Sequence, residues 1–183
     1  ANGVNIYDGS NFEQLNANQP NSITDNSITT LFLDKNHLLW IGHAQGVDTY
    51  DRRTGQIKRY TLESGLFSVK TIYEDKSGKV WIGSFGAGLH YYDQEKDLVV
   101  EHKTRHELNG GIGCITGDLV GNIWIGTENY GLYVMDPNTN EIFSTKNDIE
   151  GISNAFDFNN FRIRTLCPDN YGNMYIGTYS NGM

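Results

Sequence analysis

Cysteine, proline and basic residues are the scarce components of this chain, and most of these shortages exclude something. Only Cys114 and Cys167 carry thiols among 183 residues, too few for a disulfide scaffold and not at a zinc-site spacing from any histidine pair. Fourteen Lys and Arg stand against 22 Asp and Glu, a formal net charge of -8. That charge repels phosphate backbones and anionic lipid, so neither nucleic acid nor a membrane surface is an expected partner. No run of 18 apolar residues occurs, and the opening ANGVNIYDGS lacks the basic start and apolar stretch of a secretory signal. Catalytic signatures are missing as well. There is no Gly-x-Ser-x-Gly elbow or dinucleotide fingerprint, and Gly110-Gly111-Ile112-Gly113 lacks the lysine of a phosphate loop.

What is present is material for a folded, strand-rich chain. With 38% hydrophobic and 12% aromatic residues it has enough apolar surface to bury. Twenty-one Gly, 20 Asn and 11 Tyr with only 3 Pro suit many short strands joined by tight turns. The expected class is all-β.

One periodicity dominates. Trp40-Ile41-Gly42, Trp81-Ile82-Gly83, Trp124-Ile125-Gly126 and Tyr175-Ile176-Gly177 recur at spacings of 41, 43 and 51 residues. An Asp precedes each aromatic by six positions: Asp34, Asp75, Asp118 and Asp169. Beyond each triplet comes Gly46-Val47, Gly88-Leu89, Gly131-Leu132 or Gly182-Met183, and Gly3-Val4 opens the chain with the same pair. Four registered copies make this a repeat protein.

Each unit reads as four strands. Residues 27–33, 68–74, 112–117 and 163–168 form a first strand rich in β-branched residues. The turns DKSGKVW, DLVGNIW and DNYGNMY follow, Asp accepting backbone hydrogen bonds and Gly supplying a left-handed residue. DKNHLLW has His37 in place of that Gly, so its turn is expected to differ. The aromatic-Ile-Gly strand is second, GVDTYD, GLHYYD and GLYVMD are third, and QIKRYTL, LVVEHKT and EIFSTKN are fourth. Four strands in about 43 residues is the arithmetic of a propeller blade.

The copies SITTLFLDKNHLLWIG, SVKTIYEDKSGKVWIGSFGAGLHYYD and IGCITGDLVGNIWIGTENYGLYVMD resemble the two-component regulator propeller repeat. The resemblance implies an extracytoplasmic, periplasmic ligand-sensing region of a hybrid two-component histidine kinase, responding to polysaccharide breakdown products. It departs from the pattern at Tyr175, at the spacing before Gly46 and at the longer fourth unit. About four blade equivalents are covered, with units at approximately 1–20, 21–63, 64–106, 107–147 and 148–183, the first and last each a split blade. A fragment of a larger propeller is favoured over a four-blade ring closed by pairing the two ends.

The repeated Asp residues read as turn formers rather than calcium ligands, since each loop supplies a single carboxylate. The repeated Trp residues read as packing between sheets. His102 and His106 are four apart, but in a segment that reads as strand and loop, and no metal or cofactor is assigned. Cys114 and Cys167, both in first strands, read as small buried thiols.

Residues that differ between blades are the better guide to function, because they are not needed to build a blade. The loops from second to third strand contribute His43, Phe85, Tyr130 and Tyr179 to one face. The loops between blades bring Phe67, Arg105, His106 and the segment NDIEGISNAFDFNNFR, with Phe156, Phe158, Asn159, Asn160, Phe161 and Arg162. Aromatic faces beside amides and a guanidinium suit sugars, although the same aromatics also serve to pack a loop. The candidate ligand residues are Phe85, Tyr130, Phe156, Phe158, Asn160, Phe161, Arg162 and Tyr179, with no catalytic residue assigned. The expected function is non-enzymatic oligosaccharide sensing. A protein-protein interaction platform is the alternative, and a propeller hydrolase or lyase ranks third. Other expected partners are neighbouring blades or a second subunit.

Overall fold

The computed structural model describes residues 2–61, 68–103, 108, 111–145 and 161–179. Among them there are sixteen strands and no helix. Strands β1 (Val4–Tyr7) and β2 (Phe12–Leu15) form a two-stranded sheet. Three four-stranded sheets follow. The first contains β3 (Ile28–Leu33), β4 (Leu38–His43), β5 (Gly46–Asp51) and β6 (Gln56–Tyr60). The second contains β7 (Ser68–Glu74), β8 (Val80–Phe85), β9 (Leu89–Asp93) and β10 (Leu98–Glu101). The third contains β11 (Ile112–Gly117), β12 (Ile123–Thr127), β13 (Leu132–Met135) and β14 (Ile142–Ser144). Strands β15 (Ile163–Pro168) and β16 (Met174–Thr178) form a second two-stranded sheet. Every neighbouring pair is antiparallel and sequential in the chain, which is the meander of a propeller blade. The sheets β1–β2 and β15–β16 do not pair with each other.

Apolar residues are buried between consecutive sheets, which is why each sheet needs its neighbours. Val4, Leu15 and Ile23 meet Ile41 and Tyr50. Trp40 and Val47 pack on Val69, Ile72 and Ile82. Trp81 and Leu89 pack on Ile112, Ile115 and Ile125, and Leu132 on Ile163 and Leu166. Each fully buried aliphatic side chain contributes on the order of 1.5–3 kcal/mol. Polar links join successive first strands and their turns. Thr29 Oγ1 donates to Val69 O at 2.6 Å, Lys35 Nζ to Asp75 O at 3.0 Å, and Lys76 Nζ to Leu119 O.

The turn after each first strand is built by its Asp. Asp75 Oδ1 accepts the backbone N–H groups of Ser77 and Lys79 at 2.8 and 3.0 Å, and its N–H donates to Lys79 O. Asp34, Asp118 and Asp169 repeat the arrangement. The first turn does not differ, contrary to expectation. His37 takes a φ of 62° where Gly78 has 91°, and both N–H groups donate to the Asp carbonyl at 3.0 Å. The Asp side chain determines the turn strongly enough to hold a non-glycine residue in the left-handed region.

Each first strand also carries a β-bulge. The register with the second strand slips between Ile28 and Thr30, Val69 and Thr71, Ile112 and Cys114, and Ile163 and Thr165. The slip displaces strict alternation by one residue, so that Ile163 and Leu166 pack inward. The cysteines depart from the expected burial. Cys114 is only partly buried and Cys167 is exposed, and both are free. Trp40 and Trp81 are fully buried as expected, whereas Trp124 is half-buried against the two-stranded β15–β16 sheet.

Candidate functional site

The four bulges fall at one register position, so they carry four residues to equivalent places at the start of the first strands: Thr29, Lys70, Gly113 and Arg164. A bulged residue is freed from the ladder and its side chain is re-aimed, a device common beside functional sites. Thr29, Lys70 and Arg164 are exposed. Three of the four bulge positions open onto one cleft of about 380 Å³, lined by Lys70, Phe85, Gly113, Glu128, Arg162 and Arg164. The cleft thus draws on β7 and the end of β8, on β11 and the residue after β12, and on the entry to β15.

Its electrostatics centre on Glu128, whose carboxylate is largely buried. Arg162 Nε donates to Glu128 Oε2, and Arg164 Nη1 lies 3.9 Å from Oε1. Both guanidiniums also lie over the ring of Tyr179, at 5.2 and 5.0 Å from its centroid. Tyr179 is itself tied to Arg162 by a 3.0 Å backbone hydrogen bond. Phe85 is 53% exposed where it lines the cleft, and Tyr179, 63% exposed, backs the two guanidiniums. Among the described residues, three cations stand against one carboxylate in this cleft, in a chain whose net charge is -8. Such an arrangement can stack on an apolar ring face and donate paired hydrogen bonds to oxygens.

Of the residues selected from sequence, Phe85 and Arg162 line the cleft, and Tyr179 contacts Arg162 without lining it. Tyr130 is exposed, with its N–H donating to Thr127 Oγ1 at 2.9 Å, but is not among the described residues lining the cleft. Phe161 packs against the cluster of Leu132, Ile163 and Leu166. Phe156, Phe158 and Asn160 lie outside the described residues, as do Asn159, Phe67, Arg105 and His106. His43 is not on the open face. It is 1% exposed, with Nε2 3.5 Å from Asp48 Oδ2, and Asp48 accepts from Thr24 Oγ1 at 2.8 Å. Adjacent strands β4 and β5 carry both groups into the interior, where His43 Nδ1 accepts from Gln45 N–H at 3.2 Å while Nε2 makes no hydrogen bond among the described residues. His102 stacks edge-on against Trp81 at 5.2 Å, and burial depresses its pKa.

Lys70, Glu128 and Arg164 were missed. Lys70 and Arg164 share a register column with Thr29 and Gly113, whose mixed identities carry no residue-type signal.

Comparison with known proteins follows the same lines. Residues 22–45, 63–86 and 158–180 match the two component regulator propeller family. None of the curated proteins compared matches the chain. Among solved structures, the chain is similar to the extracellular domain of a protein described as a hybrid two-component system of B. thetaiotaomicron. That likeness has 20% identity and a TM-score of 0.72, and covers 94% of this chain and 24% of that one. The extracellular domain of a second protein so described, from the same organism, matches at 20% identity and a TM-score of 0.51, covering 98% and 30%. Virginiamycin B lyase from Staphylococcus aureus matches at 14% identity and a TM-score of 0.68, covering 94% and 54%. The chain therefore spans about a quarter of the length of the first of these and about half of the last, and at these identities the likeness is one of propeller fold. The units at residues 22–45, 63–86 and 158–180 are thus similar to the two component regulator propeller repeat.

Proposed function

We propose that the chain is part of an extracytoplasmic, periplasmic sensor propeller of a two-component signalling protein with a histidine kinase output, and that its cleft binds an oligosaccharide. Support for the sensor role comes from the repeat family and from the extracellular domains whose fold it shares. The observation that carries the ligand reading is the convergence of Phe85 and Arg162, positions that vary between repeats, on one cleft, with Tyr179 packed against Arg162. Exposed ring faces cover the C–H faces of a sugar, and a fixed guanidinium bonds its oxygens. The surface is one for binding rather than turnover, because the lining carboxylate, Glu128, is engaged by two guanidiniums and is not poised as a general base.

The test is calorimetric titration of the chain with a panel of oligosaccharides. Phe85→Ala and Arg162→Ala should each weaken binding about tenfold or more, with unfolding midpoints near that of the parent. Unchanged affinity in both variants would remove this cleft from the ligand site.

A further inference from the structure

The groups around the cleft specify more than a sugar. We infer that its ligand is an anionic oligosaccharide, bearing a carboxylate or sulfate group that is held between Lys70 and the guanidiniums of Arg162 and Arg164. The inference rests on the reading of this cleft as the oligosaccharide site, and deepens it.

Three observations carry it. The first is the sign of the charge. Among the described residues, Lys70, Arg162 and Arg164 line the cleft with one acid, Glu128, and Lys70 makes no ion pair. A neutral sugar needs no such excess, whereas concentrated cations in an acidic protein attract and retain an anion.

The second is preorganisation. Glu128 is largely buried and holds both arginines, while the Tyr179 ring lies beneath both guanidiniums. Arginine side chains are costly to immobilise on binding, and here that ordering is built into the folded chain. A fixed planar fork is suited to the paired oxygens of a carboxylate or sulfate.

The third is placement. Lys70 and Arg164 occupy the same register position in two blades, each freed from the strand ladder by a bulge, with Gly113 at that position in the blade between them. Gly113 contributes no side chain, so the space between the two cations stays open. An added Cβ there would stand 3.1 Å from Ile163 O and 3.7 Å from Glu128 Oε1.

The experiment titrates the chain with matched oligosaccharides that share linkage and length and differ in charge: neutral, uronate-bearing and O-sulfated members of each set. Acidic members should bind at least about tenfold more tightly than their neutral counterparts, an advantage that Lys70→Gln and Arg164→Gln each reduce by about tenfold and that added salt erodes. Melting temperatures of the variants serve as the folding control, and Lys70 is exposed enough to be replaced without loss of packing. The uronate and sulfate arms separate the two anionic groups. Neutral members binding as tightly as acidic ones, or affinities unmoved by both variants, would overturn the anionic assignment and leave the oligosaccharide reading standing. Binding to no member of any set would overturn both.

Discussion

The indole N–H of Trp81 donates a 2.8 Å hydrogen bond to Oδ2 of Asp75, six residues earlier, with both side chains buried. The other oxygen of the same carboxylate holds the turn between them. One side chain therefore performs two tasks. It closes the hairpin of the first and second strands and fixes the orientation of the aromatic that packs on the next sheet. Trp40 and Asp34 repeat the bond at 2.9 Å, and Trp124 and Asp118 at 3.0 Å, while the Tyr175 hydroxyl reaches Asp169 at 3.4 Å. The spacing of six follows from this geometry.

Trp81→Phe removes the donor and leaves a buried carboxylate oxygen without it. The expected loss is about 1.5–3 kcal/mol by urea denaturation. Tyr175→Phe breaks a longer bond at a side chain 61% exposed, and should cost under about 0.5 kcal/mol. Equal losses at the two positions would contradict a role for buried indole donation.

These carboxylates also impose a pH dependence. Burial alone would raise the pKa of Asp75, but hydrogen bonds from Ser77, Trp81 and Lys79 outweigh it and hold the group below the ordinary carboxylate range. Asp118 is likewise lowered against its burial by Trp124, Asn122 and Gly121. A depressed folded pKa contributes stability that is complete above the unfolded value of about 3.9 and is lost as pH falls through the folded one. The unfolding midpoint should be insensitive to these two groups from pH 7 to about 5 and fall below about pH 4. In Asp75→Asn the protein should be weaker at pH 7 and its acid limb shallower.

Gly83 is required by side chains packed on it, one from its own sheet and one from the next, rather than by its own backbone. An added Cβ would lie 2.6 Å from Ile112 Cγ2 and 2.6 Å from Thr71 Cγ2. Gly83→Ala should therefore cost about 1–3 kcal/mol through overpacking. Chemical denaturation decides it, and a neutral result would mean that the second and third sheets separate easily.

His37 offers a change in the opposite direction. Its φ of 62° is strained for a residue with a Cβ, and the other three copies place Gly there. His37→Gly should raise stability by about 0.5–1 kcal/mol, the relieved strain exceeding the added freedom of the unfolded chain. A fall in the melting temperature would count against it.

The two thiols should separate by reactivity. Burial pushes the Cys114 thiol up to about 12, whereas Cys167 is exposed. A disulfide exchange reagent at pH 8 should label Cys167 in the folded chain and Cys114 only on unfolding, because the thiolate is the reactive form. Rapid labelling of both would show that the β11–β15 contact opens readily.

Part of the site was legible before the fold was known. Phe85, Arg162 and Tyr179 stood out because they are not repeated; the first two line the cleft and the third packs against Arg162. Lys70 and Arg164 sat unnoticed within strands, since a bulge leaves no residue-type signature: Thr, Lys, Gly and Arg all occupy it. His43 passed for a loop residue because its partner, Asp48, lies across a hairpin and inside the sheet.

The sequence by itself determined the repeat, the strand positions and the Asp turns. These depend on interactions closed within about ten residues, which periodicity and turn chemistry report directly. Only the tertiary structure decided why Gly83 must lack a side chain, where the cysteines point, and which charges share a cleft. Those answers rest on neighbours some 29 to 58 residues apart, such as Gly83 with Ile112 and Lys70 with Glu128. Packing between blades brings such residues together by close approach, and no local pattern in the chain encodes that approach.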